Sequence, residues 1–287
     1  MNDLSGKTAL VTGASAGMGM ATVAALADMG AHVVMLCRSE ARGRAAYETL
    51  MSEKSRSLTL MLCDLGDLAS VREFAAGFHE AYPRLDILIN NAGFISLDRQ
   101  TTVDGFERQF GVNHLGHFAL TLSLLDMIPA GGRIVVVASG AHKAGRIHWD
   151  DVGLTHGYHV VKAYGQSKLA NVLFTRELSR RLTPHGVTVN CCHPGAVATS
   201  MGVDRKTGFG KTITGLLRPF FLTPAQGADT AIWLATSAEA ADVSGEYFYK
   251  RRPARSSKAS QDTAAAERLF TLSEELTGQI YPKLSTI

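Results

Sequence analysis

The sequence predicts an α/β fold, a doubly wound parallel sheet in a single domain spanning residues 1–287. Short apolar runs alternate with segments of helical length along most of the chain, and the first apolar run ends in a glycine-rich turn. Composition agrees with this fold class. Of the 287 residues, 46% are hydrophobic and 19% are charged, which supplies a large core and excludes a disordered chain.

Six short runs rich in Val, Ile or Leu are the predicted strands, because continuous apolar character is typical of strands covered on both faces. The strands are predicted at residues 7–12, 31–37, 58–63, 85–90, 133–138 and 187–192. Helices are predicted at residues 17–29, 39–52, 68–82, 102–127, 160–182 and 262–278. This alternation favours right-handed βαβ units and therefore parallel strands.

Two later regions depart from the alternation. Residues 199–223 form an apolar stretch without clear periodicity, which we interpret as a substrate loop that acts as a lid. Its basic residues leave contact with a membrane surface open as an alternative. These basic residues are Arg205, Lys206, Lys211 and Arg218. A C-terminal tail is predicted at residues 250–287, and its basic start, 250–255 (KRRPAR), is interpreted as a solvated turn.

Charge and composition also limit the partners and the compartment. Lys plus Arg exceed Asp plus Glu by 29 − 26 = 3, so nucleic acid is not an expected partner. Neither a transmembrane segment nor a signal-peptide core is recognised, and we expect a cytoplasmic protein. His114 and His117, and likewise His156 and His159, have HxxH spacing, but no third ligand cluster accompanies either pair, so no metal site is expected. The four cysteines, Cys37, Cys63, Cys191 and Cys192, are predicted to be buried free thiols.

The turn after the first predicted strand reads TGASAGMG and opens a predicted helix. Gly13, Gly17 and Gly19 let the backbone approach a phosphate closely, and the helix N-terminus offers unpaired N–H groups. A glycine-rich turn between a strand and a helix therefore predicts nucleotide binding.

Together with this GxxxGxG turn, NNAG at residues 90–93 and YGQSK at residues 164–168 make the chain resemble the short-chain dehydrogenase/reductase family. RIVVVAS, VNHLGHF and HPG occur in the family's order. Within the family, VNHLGHF, GRIHW and SKLANVLFTREL are most similar to the retinol dehydrogenase and WW-domain oxidoreductase branch. The resemblance implies a Rossmann-type fold and a nicotinamide dinucleotide cofactor. It also implies a homo-oligomer, unless the C-terminal tail blocks one of the family's usual contacts.

Four residues are the candidate catalytic set: Asn113, Ser139, Tyr164 and Lys168. Tyr164 and Lys168 are four apart on a predicted helix, so both project from one face, and a nearby ammonium would lower the pKa of the phenol. Tyr164 would then exchange a proton with the substrate. By the resemblance, Ser139 holds the substrate oxygen and Asn113 anchors a water that leads from Lys168 to solvent.

The second predicted strand ends in Leu36-Cys37-Arg38-Ser39, without the acidic residue that selects NAD. An arginine can pair with a 2′-phosphate, so Arg38 predicts NADP(H), with a plain surface arginine as the alternative. The remaining cofactor contacts implied by the resemblance are Ser15, Ala16, Met18, Asp64, Leu65, Asn91, Ala92, Gly93, Tyr164, Lys168, Pro194, Gly195, Val197 and Thr199.

These observations predict an oxidoreductase that moves a hydride between NADP(H) and a carbonyl or alcohol group. The apolar loop indicates a small lipophilic substrate. In a cytoplasm rich in NADPH, reduction is the expected direction. The alternative from another class is a non-catalytic NADP(H)-binding sensor or scaffold, which would have no need of the four candidate catalytic residues.

Overall fold

One eight-stranded sheet, with helices on both faces, contains every strand of the computed structural model, which describes residues 3–195 and 222–284. The strand order is β3-β2-β1-β4-β5-β6-β7-β8, and all neighbours are parallel except β7 and β8. The strands are β1 Thr8–Thr12, β2 His32–Cys37, β3 Leu58–Leu62, β4 Ile87–Asn90, β5 Arg133–Val137, β6 Thr188–Cys192, β7 Tyr247–Tyr249 and β8 Arg252–Pro253. The predicted doubly wound parallel sheet is confirmed.

The α-helices follow the strands as the alternation predicts. They are α1 Gly17–Asp28, α2 Glu40–Glu53, α3 Leu68–Ala81, α4 Arg108–Phe110, α5 Gly116–Ser123, α6 Val160–Leu182, α7 Pro224–Thr236 and α8 Thr263–Thr277. Side-chain caps explain several of the starts. Ser39 accepts a hydrogen bond from the first turn of α2, and Asp67 does the same for α3.

The single helix predicted at residues 102–127 is wrong. Gly105 adopts a positive φ of 87°, which no α-helix contains, and the Glu107 carboxylate caps the helix that starts after it. From Arg108 the chain forms α4, then a π-helical turn over Gly111–Leu115, then α5. π-Helical turns inside α-helices often occur at functional sites.

Two elements near the C-terminus were not predicted. Helix α7 begins with a capping box, in which the Thr223 hydroxyl accepts from the Gln226 N–H and the Gln226 side chain accepts from the Thr223 N–H. Strands β7 and β8 form a hairpin around Lys250 and Arg251, whose φ values of 51° and 59° are left-handed. Only the start of the predicted solvated turn at 250–255 is therefore a turn, the tip of this hairpin, because Arg252–Pro253 form β8.

The core has one apolar layer on each face of the sheet. Helices α1, α2 and α7 pack on one face, and α3, α5 and α6 pack on the other. Helix α8 lies outside α6, where Leu269 joins the cluster that contains Leu169 and Leu173. The buried Cys37, Cys63, Cys191 and Cys192 are free thiols, as predicted.

The sheet reverses its direction of growth between β1 and β4. The helical connections that follow β1 and β4 lie on opposite faces of the sheet, so a crevice is left between the carboxyl ends of these two strands. Thr12 ends β1, and Asn91 follows β4. In doubly wound sheets this is where ligands bind.

The predicted substrate loop at residues 199–223 lies outside the described residues, except for Leu222 and Thr223. Its basic residues also lie outside them, so its role as a lid or membrane contact stays a prediction. Among the residues the structure describes, no helix has both the length and the apolar character needed to cross a membrane.

Candidate active site

A cavity of about 360 Å³ opens at the carboxyl ends of β1 and β4. Residues from five separate segments meet in it: four follow the ends of β1, β2, β3 and β4, and the fifth is Val112 in the π-helical turn. Of the predicted cofactor-binding residues, those in its wall are Gly13, Ser15, Ala16, Gly17, Met18, Gly19, Arg38, Asp64, Leu65, Asn91, Ala92 and Gly93. The sequence did not predict five other lining residues, Leu36, Arg42, Cys63, Phe94 and Val112.

The glycine-rich turn has the geometry of an anion site. Gly13 and Gly17 have positive φ values of 67° and 57°. A Cβ on Gly19 would lie 2.2 Å from the Gly13 carbonyl oxygen, so only glycine fits there. No described side chain caps the first turn of α1, which also lacks acidic residues. Its N–H groups and positive dipole end are available to a phosphate.

Two exposed arginines line the same cavity, Arg38 after β2 and Arg42 in the first turn of α2. Their guanidinium groups add positive charge at the far end of the crevice from β4. Arg42 is a residue that the sequence reasoning missed. Its position four residues after Arg38, at the start of a predicted helix, was the available signal.

The wall opposite the glycine turn is held by hydrogen bonds to Thr12. Its hydroxyl oxygen lies 2.8 Å from the N–H groups of Asn91 and Ala92, and its carbonyl accepts from the Asn91 amide at 2.8 Å. Asp64 Oδ1 accepts from the Gly66 N–H at 2.9 Å, which shapes the turn after β3. These bonds fix the backbone that faces a ligand in the crevice.

The catalytic candidates lie outside the described lining of this cavity: Asn113 is in the π-helical turn, Ser139 follows β5, and Tyr164 and Lys168 are in α6. Lys168 is 2% exposed, and its Nζ donates to the Val137 carbonyl at 2.9 Å. The same Nζ lies 5.8 Å from the centroid of the Tyr164 ring. Burial lowers the pKa of Lys168 to about 8. Tyr164 and Lys168 therefore share one face of α6, as their spacing predicts.

The pKa of Tyr164 is raised, whereas the sequence predicts that it is lowered. Burial raises it above the ordinary value, and a hydrogen bond with Ser139 opposes this only in part. Desolvation of the phenolate therefore sets the direction of the pKa shift. The phenol consequently holds its proton at neutral pH.

Ser139 follows β5 and brings its hydroxyl to Tyr164. Its side chain also accepts from the Ala141 N–H at 3.2 Å, which caps a short 3₁₀ turn. The backbone of that turn and the buried α6 thus hold two hydroxyl groups side by side. Such a pair can hold and protonate one substrate oxygen.

Asn113 is fully buried in the π-helical turn. Its Oδ1 accepts from the Phe94 N–H at 2.6 Å, and its Nδ2 donates to the Phe94 carbonyl at 2.9 Å and to the Ser167 hydroxyl at 3.0 Å. The side chain thus ties the loop after β4 to α6. The water-anchoring role implied by the resemblance stays a prediction.

Pro194 and Gly195 follow β6 at the same edge of the sheet. Gly195 has a φ of 85°, and its N–H donates to His193 Nδ1 at 3.0 Å. Val197 and Thr199, which were predicted to contact the cofactor, lie outside the described residues.

The family model described as short chain dehydrogenase matches residues 7–208 of this chain. Human retinol dehydrogenase 13 is 44% identical to this chain over 289 residues, which cover 97% of this chain and 87% of the relative. Human retinol dehydrogenase 14 is 42% identical over 293 residues, which cover 95% and 87% of the two chains.

Solved structures agree with this assignment. A crystal structure of a Mycobacterium paratuberculosis protein superposes with a TM-score of 0.81 at 34% identity, covering 98% of this chain and 97% of that one. A blue fluorescent protein from a metagenomic library, solved in complex with NADPH, gives a TM-score of 0.69 at 28% identity, covering 86% and 96%. The resemblance inferred from the sequence motifs is confirmed at the level of the family and of its retinol dehydrogenase members.

Proposed function

Because this chain belongs to the short-chain dehydrogenase/reductase family, in its retinol dehydrogenase branch, we propose that it is an NADP(H)-dependent oxidoreductase acting on a carbonyl or alcohol group of a small lipophilic substrate. One observation carries this proposal: the half-buried Tyr164 phenol meets Ser139 on the same sheet edge as the glycine-lined crevice. This arrangement supports nucleotide binding and proton transfer at neighbouring positions.

The crevice residues fit NADP(H). The uncapped α1 and the Gly19 contact suit a pyrophosphate, and Arg38 with Arg42 suits a 2′-phosphate. The metagenomic relative solved with NADPH supports this choice. When bound, NADPH would supply the hydride for a carbonyl carbon.

The chain's own residues supply the rest of the reduction. The Ser139 hydroxyl holds the substrate oxygen, and Tyr164 donates its phenolic proton to that oxygen as the alcohol forms. The raised pKa of Tyr164 suits this direction, because the proton is in place before the reaction starts. Lys168 keeps positive charge beside the ring and stabilises the phenolate left behind.

The names of the relatives point to a primary alcohol on an apolar carbon skeleton. We therefore propose a lipophilic aldehyde and its alcohol as the substrate pair, with retinal as one member of the class. The apolar sequence at 199–223 supports the same class.

The test is NADPH oxidation by the full chain against retinal, medium-chain aldehydes, aromatic ketones and steroid ketones, followed at 340 nm as is usual for this cofactor. We expect turnover with at least one apolar aldehyde and none without a carbonyl compound. NADPH binding without turnover across the panel would instead support the sensor or scaffold. Absence of NADPH binding would contradict both functions.

A further inference from the structure

His117 lies in the core and connects the strand end beside the glycine turn with the π-helical turn that carries Asn113. It lies in α5 and is 2% exposed. Its Nε2 is 2.9 Å from the Thr12 hydroxyl, and its Nδ1 is 3.1 Å from the main-chain carbonyl oxygen of Asn113. One ring therefore touches both the end of β1 and the π-helical turn.

The direction of the bond to Thr12 follows from counting lone pairs. The Thr12 oxygen accepts from two N–H groups, those of Asn91 and Ala92, each at 2.8 Å. A hydroxyl has two lone pairs and one proton, so only its proton remains. His117 Nε2 at 2.9 Å is a nearer acceptor for that proton than the Ile89 carbonyl at 3.4 Å. Nε2 is therefore unprotonated.

The other nitrogen gives the same answer independently. The Asn113 carbonyl can only accept, so His117 Nδ1 carries the proton. Burial lowers the pKa of His117 to about 4, and the neighbouring Lys168 acts in the same direction. Both ends of the ring thus assign one neutral tautomer, with the proton on Nδ1.

From Asn113 the network continues to the proton-transfer residues. The Asn113 amide donates to the Ser167 hydroxyl, and Ser167 donates to the Tyr164 carbonyl at 2.9 Å. The same amide group clamps both backbone groups of Phe94. Hydrogen bonds therefore connect the loop at 91–94 through Thr12 and His117 to the main chain of Asn113, and the Asn113 side chain continues the connection to α6.

We propose that His117, held as its neutral Nδ1–H tautomer, is a positioning residue that fixes the loop at 91–94 and the Tyr164 helix at one relative position. The inference rests on the proposed function, because it assigns the loop to cofactor binding and the helix to proton transfer. His117 acts through Thr12 and Asn113. A ring that donates at one end and accepts at the other can join these two partners only in this orientation.

The first test reads the tautomer in the wild-type chain. Nitrogen-15 NMR with selectively labelled histidine distinguishes a pyrrole-type from a pyridine-type nitrogen, and His117→Asn identifies the signal by its loss. We expect a pyrrole-type Nδ1 and a pyridine-type Nε2 from about pH 6 to about pH 8. A protonated Nε2 anywhere in this range would overturn the proposal. This measurement needs no turnover.

The second test uses two variants that each keep one end of the ring. His117→Asn leaves an amide near the Nδ1 position, and His117→Gln leaves a carbonyl near the Nε2 position. We expect His117→Asn to raise the NADPH Kd about tenfold with kcat within about threefold. His117→Gln should lower kcat about tenfold with the NADPH Kd within about threefold. Because His117 acts on the loop through Thr12, adding His117→Asn to Thr12→Val should not change the NADPH Kd further.

Equal losses in both parameters for both variants would show a purely structural role and overturn the proposal, as would no loss in either. If the variants fail to fold, the wild-type tautomer decides. The proposed function fails separately, through absence of wild-type turnover or NADPH binding, while the tautomer measurement remains valid.

Discussion

The proposed site has two halves, a nucleotide half around the glycine turn and a catalytic half around α6, and they are built from different groups. Around the glycine turn, backbone N–H groups and two exposed arginines face the cavity. Around α6, the candidate catalytic groups are side chains that the fold buries: Asn113 is fully buried and Lys168 is 2% exposed. The first half depends on backbone shape, and the second on the desolvation of ionisable groups. Substitutions in each half can separate the dependence on backbone shape from the dependence on desolvation.

The largest effect is expected in the catalytic half, from Tyr164→Phe. Removing the phenolic proton should lower kcat roughly a thousandfold, within the usual range for general acid catalysis. The NADPH Kd should stay within about threefold, since the described cavity lining does not include Tyr164. Tyr47→Phe, on the opposite face of the sheet, is the matched control and should keep full kcat. Turnover near wild type in Tyr164→Phe would remove the distinction between the halves.

Gly19→Ala tests the dependence of the nucleotide half on backbone shape. The added Cβ would lie 2.2 Å from the Gly13 carbonyl, so we expect a loss of about 3 kcal/mol in the free energy of unfolding and loss of NADPH binding. The control is Gly77→Ala in α3, where the nearest atom would be 3.9 Å away. That variant should be stabilised by up to about 1 kcal/mol. Urea unfolding measures both, and equal behaviour would contradict the prediction.

Lys168→Met tests the dependence of the catalytic half on desolvation. The pKa of Lys168 is about 8 in the fold against 10.5 unfolded, so between these values the unfolded chain binds more protons and stability rises with pH. The cost of burying the ammonium is fully present below pH 8. The wild type should gain about 2–3 kcal/mol over Lys168→Met between pH 8 and pH 10.5. Parallel urea-unfolding profiles would contradict this.

The smallest effect concerns the two arginines. Arg38→Ala and Arg42→Ala should each raise the NADPH Kd about tenfold and leave the NADH Kd within about twofold, because only NADPH carries the 2′-phosphate. Arg44→Ala is the control, since Arg44 pairs with Glu40 in an exposed ion pair outside the cavity lining. Fluorescence titration measures the constants. Equal losses of affinity for NADPH and NADH would show that these arginines contribute only general positive charge and do not recognise the 2′-phosphate.

The sequence predicted well what depends on residues close together in the chain. The six strands and the glycine turn follow from local apolar runs and glycine spacing. The start of α7 also has a local signal in the sequence, because Thr223 and Gln226 form its capping box. The break before α4 depends on Gly105 and Glu107, whose signals an otherwise helical pattern conceals.

The remaining properties depend on contacts between distant segments. The pKa of Tyr164 is raised because the fold buries it, and spacing along a helix does not reveal burial. Thr12 and His117 are 105 positions apart, so their bond follows only from the sheet order. Arg42 reaches the crevice because α2 starts directly after β2.

Helix α8 covers the outer side of α6, where Leu269 packs in one apolar cluster with Leu173. The ring centroid of Phe270 in α8 also lies 4.9 Å from that of Phe118 in α5. Ribosomes deliver a chain from its N-terminus, so β1 to β6 emerge well before α8 does. During that interval the outer side of α6 stays uncovered. The outer side of the helix that carries Tyr164 can therefore be covered only after translation has passed residue 277.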